Sequence, residues 1–336
     1  MSDYLPSVLN RAFDFTAVGS YVIKIFTIYV VVFHTHQKMR HFANLILNGI
    51  LWNFTGNALF SFAHIIPMMP AECFRLDGLL SPYFDNELAG HLFFMLVILT
   101  ALNTSIAALM SFQFRYMEVV HNARISRFHY AWGYLYCCVV HAGSSGVCMV
   151  LLDKWRVSIA DYPDPSQIPS TERLFCYNPS GADKNLALLC FFAAIAATFL
   201  GVTFFSVRSF QHLNNLRGIH KNTILLQKRL LRNLLYLTSV PLVLGGTPLL
   251  FIAAAVYFNE LREARLIVSV CMVVLANHGT IYGISIIVVF KDYRAATGRI
   301  LLGVFKKIAK PKIGIAPKIL VQIVPDVNIK NVVRND

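Results

Sequence analysis

The chain has 336 residues, 56% of them hydrophobic and only 14% charged, with a net charge of +13. A soluble globular domain carries about 25% charged residues, so this chain lacks the polar surface to cover itself in water. Its basic balance is mostly a topological bias of the loops, and a nucleic-acid partner is not expected.

A hydrocarbon core about 30 Å thick takes roughly 20 apolar residues per helix. Stretches of that kind fall near 12–33, 41–63, 88–112, 129–152, 186–208, 233–257 and 266–290. They are too long for barrel strands and lack strict alternation. The expected fold is therefore an all-α membrane protein, a bundle of seven transmembrane helices within residues 1–291. Most of the 30 Lys and Arg lie in the loops after the first, third and fifth spans and in the C-terminal segment. Such residues are retained on the cytoplasmic side, which reads as N-terminus outside and C-terminus inside. The opening MSDYLPSVLNRAFDF lacks a signal-peptide pattern, so span 1 is expected to act as the signal anchor.

Span 1 holds Lys24, the only charge well inside any span, read as snorkelling along its long stem to an interface. Span 2 carries Asn44, Asn48, Asn53 and Asn57 as two i,i+4 pairs. Span 3 has Asn103, Thr104 and Ser105, span 4 has His141, and span 7 clusters Asn277, His278, Thr280, Tyr282 and Ser285. Asn53, Asn57, Asn277 and His278 read as a core polar network, which either holds the bundle together or rearranges between an outer site and an inner surface. Gly143-Ser144-Ser145-Gly146 in span 4 reads as a surface for close helix approach.

Of the seven cysteines, only Cys73 and Cys176 lie in the outer loops. That is the oxidising side, and a disulfide between them is expected. The 153–185 loop is rich in Pro, Asp and Ser and is expected to be irregular. Beyond span 7, Leu301, Val304, Phe305 and Ile308 recur at i, i+3, i+4, i+7, with Arg299, Lys306, Lys307 and Lys310 elsewhere around the helix. This predicts an interfacial amphipathic helix over 292–310 against the lipid bilayer, followed by a cytoplasmic tail over 311–336. No Ser or Thr follows Thr297, so tail phosphorylation on a hydroxyl of that kind is not expected. No Walker loop, no His-Glu-x-x-His and no embedded pair of acids occurs. Neither enzyme activity nor a metal site nor a cofactor is expected.

Span 3 closes with Phe112-Gln113-Phe114-Arg115-Tyr116. The last two residues resemble the Asp/Glu-Arg-Tyr motif of G-protein-coupled receptors, with Phe114 standing where the acid belongs. Span 7 offers Asn277-His278-Gly279 in place of Asn-Pro-x-x-Tyr, and Gly90 stands where those receptors place a helix-3 cysteine. Further motifs are Phe33-His34-Thr35-His36-Gln37-Lys38-Met39, Leu226-Gln227-Lys228 before a span with Pro241 and Pro248, and Asp292-Tyr293-Arg294 after His278-Gly279. In this order they resemble the nematode serpentine chemoreceptors of the Str superfamily, closest to class H.

That resemblance implies a chemosensory receptor that binds a small odorant or pheromone outside and activates a heterotrimeric G protein inside. It implies the plasma membrane of sensory cilia as the location, and it is compatible with a receptor oligomer. Arg115 and Tyr116 would then form the coupling switch, framed by Arg208, Arg217, Lys221, Lys228, Arg229 and Arg232. A pocket under the 153–185 loop is expected to use Phe94 and Ile98 of span 3, Phe191 and Phe192 of span 5, and Phe251 and Tyr257 of span 6. Its aromatic, uncharged character suits a mostly apolar ligand. A multisubunit ligand-gated channel is the alternative, and a transporter the third reading.

Overall fold

The computed structural model describes residues 4–79, 81–83, 86–121, 131–168, 173–216, 221–258 and 261–308. Arg217, Lys310 and the expected tail over 311–336 lie outside them. The long helices are α1 (Tyr4–His34), α2 (Arg40–Ala63), α3 (Glu87–Val120), α4 (Ala131–Trp155), α5 (Ala182–Asn215), α6 (Lys221–Tyr257) and α7 (Ala264–Val289), followed by α8 (Lys291–Ile308).

Six of them, α1 and α3 to α7, are long and apolar enough to cross a membrane. Helix α2 is 24 residues long. Its four asparagines lower its hydropathy, and the reason for their presence emerges from the packing below. Several helices outrun the apolar stretches seen in sequence; α6 begins at Lys221, three turns before residue 233. Within α6, a π-helical turn over Leu242–Gly246 follows Pro241. Proline removes a backbone donor and Gly245-Gly246 tolerates the altered winding, so the irregularity falls there.

Helix α3 has a built start. The Asn86 side chain accepts from the Ala89 N–H at 2.7 Å, and Glu87 lies in the first turn, where the helix dipole favours a negative charge.

Two loops converge over this end of the bundle as a four-stranded sheet ordered β1-β2-β4-β3, with β1 Ile65–Pro67, β2 Cys73–Leu76, β3 Arg156–Val157 and β4 Leu174–Tyr177. The expectation of an irregular 153–185 loop is corrected here. Leu174-Phe175-Cys176-Tyr177 is a short apolar run suited to a pleated, buried surface, and it pairs antiparallel with β2. Cys73 sits directly opposite Cys176 in that register, and the two are disulfide-bonded.

The sheet is buried deeply enough to act as a lid. Phe175, Cys176 and Tyr177 have no exposed surface, and Phe74, Phe94, Phe175 and Tyr177 pack as one aromatic cluster. Gly90 makes the approach possible. A Cβ at Gly90 would come within 2.7 Å of Phe175 Cγ, so the position that could hold a helix-3 cysteine is occupied by the lid's own ring.

The chain divides into a unit over residues 1–297 and a second over 298–336. In the described part of the second, Leu301, Leu302, Val304 and Phe305 are exposed along α8.

Candidate ligand cavity and the charged end of helix 3

Beneath the lid lies a cavity of about 420 Å³, within the range of small-molecule sites. Ile65 and Phe74 of the sheet and Trp155 roof it; Phe94, Ile98, Phe191, Ile252 and Met272 wall it. Its deep side is polar, formed by Asn53 and Asn57 of α2 and His278 of α7. Among the described residues none of its lining side chains is charged.

The six residues expected to form a pocket divide in two. Phe94, Ile98 and Phe191 line this cavity. Phe192 is half-buried against the apolar core beside it. Phe251 and Tyr257 lie outside the lining, at 56% and 52% exposure. The cavity face of α6 carries Leu249, Ile252, Ala253 and Val256; the helical period turns Phe251 to the opposite side, and Tyr257 lies on the flank of that face, beyond its last lining residue.

The polar residues of the spans form two networks, and neither uses the i,i+4 pairs visible in α2. In the first, His141 Nδ1 donates to Asn103 Oδ1 at 2.5 Å and its Nε2 accepts from Asn48 Nδ2 at 3.2 Å. Asn103 Nδ2 in turn donates to Ser145 Oγ at 2.9 Å. Since Asn103 Nδ2 is committed as a donor, its Oδ1 must accept, which assigns the proton to His141 Nδ1 and leaves a neutral ring. Helices α2, α3 and α4 are joined at this one imidazole. The run Gly143 to Gly146 does not act as expected: a Cβ at Gly143 or Gly146 would meet nothing within 4 Å, and it is Ser145 that makes the interhelical contact.

In the second network, His278 Nδ1 donates to the Leu275 carbonyl at 2.5 Å and its Nε2 accepts from Asn53 Nδ2 at 2.7 Å. Asn57 Nδ2 donates to Ser20 Oγ at 2.8 Å and to the Ala276 carbonyl at 3.1 Å. Asn53, Asn57 and His278 thus meet between α1, α2 and α7. Asn277 does not join them; its amide donates to Val273 O of its own helix. Lys24 corrects its snorkelling expectation. It is 1% exposed, and its Nζ donates to the Asn53 carbonyl at 3.2 Å. The asparagines that cost α2 its hydropathy are therefore the bundle's polar joints.

Arg115 lies near the far end of α3 from the lid and is 4% exposed. Its Nη1 donates to Glu118 Oε2 at 2.6 Å, and its Nη2 donates to Gln227 Oε1 of α6. The acid absent before Arg115 is thus supplied one turn later. An acid at i+3 on the same helix face was the available signal for Glu118; Gln227, across the bundle, had none. Tyr116 makes aromatic packing with Phe205 at 5.5 Å between centroids. Tyr293 and Thr35 share a hydroxyl hydrogen bond of 2.8 Å, which ties two of the sequence motifs together.

At the lid, Glu72 is 1% exposed and ion-paired with Lys184 at the start of α5. Burial pushes the Glu72 carboxyl up from the ordinary 4.5 to about 7, with the Lys184 ammonium opposing that rise. Its second oxygen has no partner among the described residues.

A helical bundle of membrane-length apolar helices, with a largely apolar cavity under a disulfide-bonded lid and a buried arginine bonded across two helices at the other end, is a multi-pass membrane protein. The family model for the serpentine type 7TM GPCR chemoreceptor Srh matches residues 5–303, and the chain belongs to that family. No curated protein is similar enough to count as a match.

Proposed function

We propose that the chain is a chemosensory receptor with seven spans, N-terminus outside, that takes a small, mostly apolar odorant or pheromone into the cavity under the lid and activates a heterotrimeric G protein at the Arg115 end. Helix α2 serves as the seventh span, the side-chain amides of Asn48, Asn53 and Asn57 bonding to neighbouring helices rather than facing lipid. The plasma membrane, and by family resemblance the sensory cilium, is the site of action. Helix α8 lies in the inner interface, with its exposed apolar residues toward lipid.

The observation that carries this reading is the double engagement of buried Arg115 by Glu118 and Gln227. In the resting arrangement it joins α3 to α6. A ligand that binds better to the arrangement in which α3 and α6 part shifts the population toward it, by no more than its differential affinity. Arg115 then becomes available to the G protein, with Tyr116 beside it.

Nucleotide exchange on a panel of Gα subunits, in membranes holding the chain, tests the reading. Exchange that is present with odorant and absent in Arg115→Ala, at equal surface expression, supports it. Normal exchange in that variant reduces Arg115 to an interface anchor. An odorant-gated current without exchange would replace the receptor by a ligand-gated channel.

A further inference from the structure

Lys24 sits in the second half of α1, and no counter-charge meets it among the described residues. Among the described residues no Asp or Glu pairs with it; the nearest acid along its own helix, Asp14, lies roughly 15 Å toward the lid and faces His64 instead. Its ammonium makes one hydrogen bond among those residues, to the Asn53 carbonyl, of the three it can donate. Burying an ammonium without a partner is strongly unfavourable, so an anion brought close to Lys24 and the charged form of Lys24 would favour each other.

The position of that charge relative to the cavity gives it a use. Asn53 stands between them: its backbone accepts from Lys24 while its side chain donates to His278, and both Asn53 and His278 line the cavity. Gly279, next to His278, closes the distance. A Cβ there would run into Asn53 Oδ1 and would lie 2.5 Å from Lys24 Nζ. The His278-Gly279 pair picked out in the sequence is thus the place where α7 yields room for the ammonium. Charge on Lys24, one residue's thickness behind the wall, is screened less than it would be in water, and no charged side chain among the described lining residues opposes it.

We infer that the cavity selects amphiphiles with an acidic head, a carboxylate on an apolar body, whose head accepts from the second amide proton of Asn53 on the Lys24 side of the cavity while the body fills the space between Phe94, Phe191 and the lid. The inference rests on the reading of this cavity as the ligand site. It refines that reading by making the ligand an acid rather than a neutral odorant, and it rejects amines.

The test uses the full chain in lipid nanodiscs, with empty nanodiscs as background, and radiolabelled octanoate as the probe. Unlabelled octanoate, octanol and methyl octanoate compete for it in the wild-type protein, so the first comparison needs no variant. The expected result is competition by octanoate at least tenfold stronger than by octanol or the ester, with the gap reduced to about twofold or less in Lys24→Met and Lys24→Gln. Equal competition by octanoate and octanol in the wild-type protein overturns the acid inference and leaves the cavity as an apolar ligand site. An octanoate preference that survives in both Lys24 variants also overturns it. Absence of saturable binding by any of the three overturns the inference together with the cavity reading on which it rests.

Discussion

Arg115 of α3 and Gln227 of α6 are joined side chain to side chain across 112 residues of sequence. The contact is the one described hydrogen bond from that arginine to another helix, and its consequence is mechanical: α6 cannot swing from α3 without breaking it. A hydrogen bond to a charged group contributes about 1.5–3 kcal/mol. Gln227→Ala is therefore expected to raise basal nucleotide exchange about tenfold, with ligand-stimulated exchange preserved. Unchanged basal exchange would mean that the α3–α6 contact does not hold the resting state.

The hub at His141 should matter more than its single residue suggests. His141→Phe removes bonds to Asn48 and Asn103 together, at roughly 0.6 kcal/mol for each interhelical bond on average, up to about 2. A fall of the thermal midpoint is expected for purified protein in nanodiscs. Asn277→Ala, whose amide bonds only its own helix, should leave the midpoint within error. Equal effects of the two would refute the assignment of the networks.

Two glycines separate close approach from mere flexibility. Gly279→Ala places a methyl against Asn53 Oδ1 and Lys24, and overpacking of this kind costs about 1–3 kcal/mol. Gly143→Ala meets nothing and should be neutral or slightly stabilising, since alanine is the better helix former. Denaturation of both variants side by side checks the contrast.

The lid should respond to pH through Glu72. Its carboxyl is raised from 4.5 to about 7 in the folded protein, so the protonated form is favoured by folding. The stabilisation is complete below about pH 4.5 and is lost as pH rises toward 7, by an amount on the order of 3 kcal/mol at most. The protection of the lid strands from hydrogen exchange, taken relative to the intrinsic amide rate at each pH, should accordingly fall across that window in the wild-type protein. In Glu72→Gln the dependence should flatten. A wild-type slope of the opposite sign would show that the Lys184 pair outweighs burial.

The sequence by itself determined the class of the protein, because hydropathy over 20-residue windows is a local property that the bilayer imposes on any chain that crosses it. The helical stretches, the Arg115-Tyr116 boundary and the pairing candidates Cys73 and Cys176 were legible for the same reason: each depends on residues near in sequence or on a count over loops. Which asparagine meets which histidine was not legible. The i,i+4 pattern of α2 pointed to pairs within the helix, whereas Asn48 reaches His141 and Asn53 reaches His278, partners fixed only when helices pack at defined rotations. The same holds for Phe251 and Tyr257, whose face of α6 is set by its neighbours, and for Lys24, whose stem allows either snorkelling or burial until α2 and α7 close over it. Tertiary packing decided these cases, since a long side chain's choice of partner is a matter of which backbone arrives within 3 Å of it, and periodicity carries no information about that.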